Sequence, residues 1–276
     1  MTAGLRRRLA RSEAHAAQLL AASMRQQGHD EATSDAVEDG MIVSLGSNGF
    51  VNRLLCTANH LSRNQVVEVI AFFSERRLAP SIQVTANTDA NTDHLLRTFG
   101  FERDWQRVVM AAPVRSLPES PLDAGSGVSI GVVDDASLHD WLDVLARGNG
   151  VVTPQARARS DRHGLAAHAV LGSVDLLARL AGSPVACGSL QYLDRICWLG
   201  GAATLPDLRN RGLQRRLLEH RLALATDLGA EFVAATAVAG GASTRNLERV
   251  DLTLIDTQQV WTRRPDSGIS AVSGAG

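Results

Sequence analysis

The sequence predicts an α+β protein of two halves of similar plan in tandem. Three observations point there. Short apolar runs of strand length mix with helical patterns without strict strand–helix alternation. Tight turn signals such as Gly182-Ser183-Pro184 join neighbouring runs closely enough for antiparallel hairpins. Both halves also follow one order: strands, a helix, a strand, a short helix and a closing strand. Within it "HLLRTFGFERDWQRVVM" matches "STRNLERVDLTLIDTQQVW" as a degenerate internal repeat.

Each element follows from its local pattern. Leu5, Leu9, Ala16, Leu20 and Met24 recur at helical spacing, so residues 5–25 form an amphipathic helix. The polar stretch "QQGHDEATSDAVEDG" reads as a loop. "MIVSLG" and "NRLLCTA" read as a hairpin broken by glycine. "SRNQVVEVIAFFSERRL" is a helix with Ser62 as its N-cap. "SIQVTA" is a strand, "NTDHLLRTFGF" a short helix ending at Gly100, and "QRVVMAAPV" a strand. "RSLPESPLDAGSG", rich in Pro, Gly and Ser, is a linker at 115–127. Beyond it "VSIGVV" is a strand, "DASLHDWLDVLARG" a helix, and "HGLAAHAVLG" helical. "VDLLARLAGSPVACGSLQYL" gives two strands and "ICWLGGAAT" a third. A helix from about Leu213, the strand "EFVAATAVA", the helix "ASTRNLERV" and two closing strands in "LTLIDTQQVWTRR" follow. The expected domains are 1–114 and 128–264, with a disordered tail at 265–276.

Composition narrows the function. The chain has 276 residues, 45% hydrophobic and 21% charged, with a formal net charge of −1. That balance excludes a general nucleic-acid-binding surface. No apolar run is long enough to span a membrane, and the arginines near the N-terminus precede no signal-like apolar core. Three cysteines without metal-ligand spacing argue against a disulfide framework and for a reducing, cytoplasmic setting. No metal site is expected.

The segment "LPDLRNRGLQRRLLEHRLALATDLGA" concentrates the chemistry. Helix N-termini carry unpaired N–H groups and partial positive charge. A loop with Arg209, Arg211 and Gly212 feeding that end is suited to an anion. Arg215, Arg216 and Arg221, further along, read as solvated surface residues.

This segment, with "FVAATAVAGGASTRNLERV" after it, resembles the Gcn5-related N-acetyltransferase (GNAT) family over residues 127–264. The family signature is Arg or Gln, two residues, Gly, one residue, then Gly or Ala. Here it reads Arg209-Asn210-Arg211-Gly212-Leu213-Gln214, and Gln214 departs from the small residue usual at the last position. The resemblance implies a tandem arrangement of two GNAT-like mixed α/β/α domains with mostly antiparallel central sheets, the first domain degenerate. It also implies a C-terminal domain whose fourth and fifth strands splay apart. Arg209, Arg211, Gly212, Leu213 and Gln214 would then hold the pyrophosphate of acetyl-coenzyme A or another acyl-coenzyme A. Ala202, Ala203 and Thr204 would pair with the pantetheine arm, and Asn246 would lie beside it.

The implied activity is acyl transfer, most simply acetyl, to the amine of a small molecule. Two alternatives stay open: a donor thioester carried by an acyl carrier protein, and a coenzyme A-binding module without turnover. The family's usual strand glutamate and late tyrosine are absent, so Tyr192, Asp194 and Asn246 stand as catalytic candidates. Cys197 has no histidine partner in sequence and reads as a core cysteine. "NHLSRN", where the first half would carry its phosphate loop, lacks the signature. That half is expected to be structural or to wall the acceptor site.

Overall fold

The computed structural model describes residues 3–47, 49–56, 60–85, 90–116 and 127–264. Linker positions 117–126 and the tail 265–276 lie outside the described residues. The first half runs α1 (Ala3–Gln26), β1 (Ala32–Val37), β2 (Gly40–Leu45), β3 (Arg53–Cys56), α2 (Arg63–Glu75), β4 (Ser81–Thr85), α3 (Ala90–Thr98) and β5 (Glu102–Pro113). The second runs β6 (Val128–Val132), α4 (Leu138–Gly148), α5 (Pro154–His168), β7 (Ser173–Leu180), β8 (Ser183–Leu193) and β9 (Ile196–Thr204). It continues with α6 (Leu213–Asp227), β10 (Phe232–Val238), α7 (Ala242–Glu248) and β11 (Thr253–Thr262).

All eleven strands join in one sheet, in the order β1-β2-β3-β4-β11-β5-β10-β9-β8-β7-β6. Only β3–β4 and β9–β10 pair in parallel. The order contains an exchange. Strand β5, from the first half, pairs with β10 of the second, while β11, at the end of the second half, pairs with β4 of the first. The two exchanged strands pair with each other from Thr253↔Ala111 to Thr262↔Glu102. Counting outward from them, β4-β3-β2-β1 mirrors β10-β9-β8-β7, so the sheet is pseudo-twofold about the β5–β11 pair.

Alternating side chains split this sheet into two buried faces. Helix α1 packs on one face through Leu5 and Leu9 against Val109, Ala111 and Ile255, and α4 packs there through Trp141, Leu142 and Val144. Opposite it, α2 and α3 cover Ile42, Leu54, Ile82 and Trp261, while α6 and α7 cover Val108, Met110, Val233 and Ala235. Trp261, on the last strand of the second half, is fully buried in the core of the first.

Two expectations from sequence are corrected. The polar stretch after α1 contains β1, because Ala32 and Val37 anchor its two ends in separate clusters and it pairs with β2 from Ala32↔Leu45 to Val37↔Gly40. The closing segment is one strand rather than two. Irregularities at Leu254/Asp256 and Val260/Trp261 bend it without ending the pairing.

A chain beginning at Gly125 lacks β5 and leaves β10 and β11 without their shared neighbour. It is expected to be insoluble or unfolded by circular dichroism and gel filtration; a soluble, folded monomer would refute the exchange. Trp261→Ala is expected to cost about 3–5 kcal/mol. Its urea transition, followed by the fluorescence of the remaining tryptophans and by circular dichroism, should move as one for both halves.

Candidate active site

Strands β9 and β10 pair in parallel only from Ile196↔Phe232 to Leu199↔Ala235. Beyond Leu199 they separate. On its other side β9 breaks register with β8 between Ser189↔Gly200 and Cys187↔Ala203, a bulge that sets Gly201 and Ala202 against Gly188. Gly201 has φ +55, and a Cβ there would lie 2.2 Å from Ser189 Oγ, so glycine is required. The bulge turns the strand away from β10 and opens a cleft of about 840 Å³.

The cleft is bounded by the end of α4 at Gly148 and Asn149, by Gly200–Thr204 of β9, by the start of α6, and by Ser243 and Asn246 of α7. Its ionisable lining groups are Arg209, Arg215, Arg221 and Arg249. The described lining contains no carboxylate, imidazole, phenol or thiol. The site is therefore uniformly cationic and open at a helix N-terminus.

That N-terminus is built by the loop. Pro206–Leu208 form one 3-10 turn, Arg209 is extended, and Asn210 and Gly212 take left-handed conformations at φ +62 and +76. Gly212 caps α6 with no side-chain hydrogen bond, and a Cβ there would meet nothing within 4 Å. The first hydrogen bond of the helix end runs from Arg216 N–H to Gly212 O. The N–H groups of Leu213, Gln214 and Arg215 lie ahead of it, on the cleft.

The residue that departs from the family signature has a visible job. Gln214 Nε2 donates to Ala203 O at 2.6 Å, to Thr204 Oγ1 at 2.9 Å and to Cys187 O at 3.2 Å. The amide thus ties the start of α6 to the end of the bulged strand. Arg209 donates to Gly148 O at 2.8 Å and holds the loop against α4. Asn246 Oδ1 accepts from Arg249 at 2.8 Å, leaving its amide nitrogen as a donor.

Of the positions expected to bind a cofactor, Ala202, Ala203, Thr204, Arg209, Gly212, Leu213, Gln214 and Asn246 line the cleft together. Arg211 stands exposed beside it and is not in its lining. Two catalytic candidates lie outside the cleft lining. Tyr192 pairs with Cys197, near the opposite end of β9 from the bulge, and packs into the core under α6. Asp194 lies in the β8–β9 turn, roughly 20 Å along the strand from Gly200 at about 3.3 Å per residue. There it meets His15 of α1 at 3.2 Å. Strand direction, invisible before the hairpin register is known, separates both from the cleft.

Sequence reasoning missed Arg221. It was expected at the surface but is 4% exposed and lines the cleft from below. Helical spacing alone could have found it, since Arg221 falls on the buried face with Leu217 and Leu218. Cys197 and Cys187 are core residues whose thiols burial pushes up to about 12, so both stay neutral and unreactive.

The first half closes the corresponding place. Helix α2, which mirrors α6, starts with a capping box: Ser62 Oγ accepts from Gln65 N–H at 3.0 Å, and Gln65 Oε1 accepts from Ser62 N–H at 2.9 Å. Ser62 Oγ also donates to Glu38 at 2.9 Å. A carboxylate and two self-satisfied donors leave that helix end no use for an anion.

Comparison with known proteins agrees with this geometry. Residues 138–249 match the profile of the acetyltransferase (GNAT) family. The whole fold is similar to a GCN5-related N-acetyltransferase from Kribbella flavida. The TM-score is 0.70 at 15% identity, over 96% of this chain and 97% of that one. It is also similar to a tandem GNAT protein from the clavulanic acid biosynthesis pathway. There the TM-score is 0.57 at 10% identity, over 85% of this chain and 84% of the other. No curated protein matches the sequence.

With coenzyme A as probe, calorimetry is expected to find one site per chain. Gly212→Val forces a β-branched residue into a left-handed conformation at the helix cap and should weaken binding more than tenfold, about 1.4 kcal/mol. Two equivalent sites, or an unchanged variant, would contradict the assignment of the cleft.

Proposed function

We propose that this chain, whose residues 138–249 match the profile of the acetyltransferase (GNAT) family, is an N-acyltransferase. It would move an acetyl or similar small acyl group from acyl-coenzyme A to the amine of a small molecule. The observation that carries this reading is the conjunction of two features in one cleft: an uncapped, cationic helix start and a strand pair that opens beside it.

The residues suit an acylated pantetheine ligand. The N–H groups of Leu213–Arg215 and the arginine side chains favour a pyrophosphate. Ala202 and Ala203 offer backbone groups to an extended arm, as an added strand would use them. The thioester supplies an activated acyl carbon and a leaving thiolate. The protein's part is then to fix the arm, to exclude competing ligands and to balance developing negative charge.

No lining residue among those described can take a proton from the incoming amine at neutral pH. The amine must reach the cleft already neutral, having lost its proton to solvent. The same lack also fits a coenzyme A-binding module without turnover. Incubation with acetyl-coenzyme A and a panel of amines, read by free-thiol release, separates the two readings, and a protein that binds the donor yet accelerates no transfer is the module.

The pH profile follows with its sign. Below the acceptor's own pKa the neutral fraction grows tenfold per pH unit, so kcat/KM should rise with unit slope and level off at that pKa. Exchanging one amine for another of lower pKa should move the plateau down by the difference. A plateau that stays put with every acceptor would instead report a titrating group of the enzyme.

A further inference from the structure

Arg221 carries a feature that coenzyme A binding does not require. The residue is only 4% exposed, and no carboxylate among the described residues pairs with its guanidinium. Nε donates to Leu217 O at 3.2 Å, and Nη1 donates to Ser189 O and Gly200 O, each at 3.2 Å. Nη2 makes no hydrogen bond to the described residues, and the side chain lines the cleft. The protein has made room for this group: a Cβ on Gly188 would lie 3.0 Å from Arg221 Cζ. Burying an unpaired cation is costly, and burial pushes its pKa down to about 10, which leaves it charged at neutral pH.

The three carbonyls it meets are neutral dipoles, and two of them belong to the paired Ser189 and Gly200, at the edge of the bulge where β9 leaves β10. A full positive charge is thus held at the point where the cleft opens, with one nitrogen to spare. Arg209 and Arg215 stand at the helix start, where a pyrophosphate would be held, so Arg221 serves a different part of the ligand.

We propose that Arg221 is a catalytic residue that stabilises the sulfur of the departing coenzyme A thiolate through Nη2, in place of a proton-donating side chain. This rests on the acyltransferase reading. In the transfer, the amine nitrogen forms a bond to the acyl carbon and the C–S bond breaks with its electron pair on sulfur. The amine's second proton goes to solvent. Arg221 stays protonated throughout and balances the sulfur's charge, so the thiolate leaves without having to be protonated first. The other titratable groups near the guanidinium do not compete. Cys187 on β8 is held neutral by burial, and Asp175 on β7 is bound to His168 at 2.7 Å.

The test reads the thiol of bound coenzyme A, not turnover. The full chain is saturated with coenzyme A, and thiolate formation is followed by ultraviolet absorbance across pH. The bound thiol is expected to titrate at least one unit below that of free coenzyme A. Arg221→Met should abolish the shift and Arg221→Lys should retain part of it. Gly188→Ala, which crowds the guanidinium without removing its charge, should reduce the shift. Desulfo-coenzyme A should bind the native protein and Arg221→Met equally, within about threefold, which separates a role at sulfur from general damage to the fold. Equal thiol pKa values in native protein and Arg221→Met, with coenzyme A bound to both, overturn the assignment of Arg221 alone. Failure of native protein to bind coenzyme A overturns the acyltransferase reading and this inference with it.

Discussion

The pairing of β5 with β11 is the contact on which the rest of the molecule depends. Each strand belongs by sequence to one half and by hydrogen bonding to the other. Without that pair the sheet would divide between β4 and β10, and Trp261 would leave the first half's core. The cleft depends on it too. Strand β10 can leave β9 only because β5 holds its other edge along its full length, from Phe232↔Pro113 to Val238↔Arg107. A strand released on one side needs a partner on the other, since its unpaired backbone groups would otherwise stand buried and unsatisfied.

A polar knot braces the same line. Arg107 on β5 donates to Glu13 on α1 and to Gln258 on β11 at 2.7 Å, and Gln258 donates back to Glu13 at 3.3 Å. Burial pushes the Arg107 guanidinium down to about 10, so the carboxylate beside it offsets a real desolvation cost. Three elements from both halves meet in this knot. Its geometry is directional where the surrounding apolar packing is not, which makes it a device for register as much as for stability.

Much of the fold could be read from residue order, because most elements have strong local signatures. Ser62 and Gln65 announce α2, Gly182-Ser183-Pro184 joins β7 to β8, and the small residues of "ICWLGGAAT" mark the strand that opens. The helix-start loop was readable for the same reason: Gly212 and its neighbouring arginines make little sense as packing. What escaped was set by non-local pairing. Strand β1 is polar enough to pass for a loop until β2 covers it. The exchange of β5 and β11 leaves no trace in composition, since both strands look the same whichever sheet receives them. Tyr192 and Asp194 stand close to the cleft residues in sequence and at the other end of the strand in space. Arg221 failed for a different reason: arginine is so commonly exposed that its position on the inner face of α6 was outweighed by its type.

The exchange also sets the order in which the chain can mature on a ribosome. By the time β4 has emerged, its partner β11 lies some 170 residues downstream. At typical synthesis rates of about 5–20 residues per second, that strand's open edge waits on the order of ten to thirty seconds. An unpaired edge in an unfinished sheet invites pairing with other nascent chains. The first half therefore cannot complete itself vectorially, and it is closed by a strand made after all its other described strands. A chain ended anywhere before β11 leaves β4 and β5 without their shared partner, so both halves stay open together.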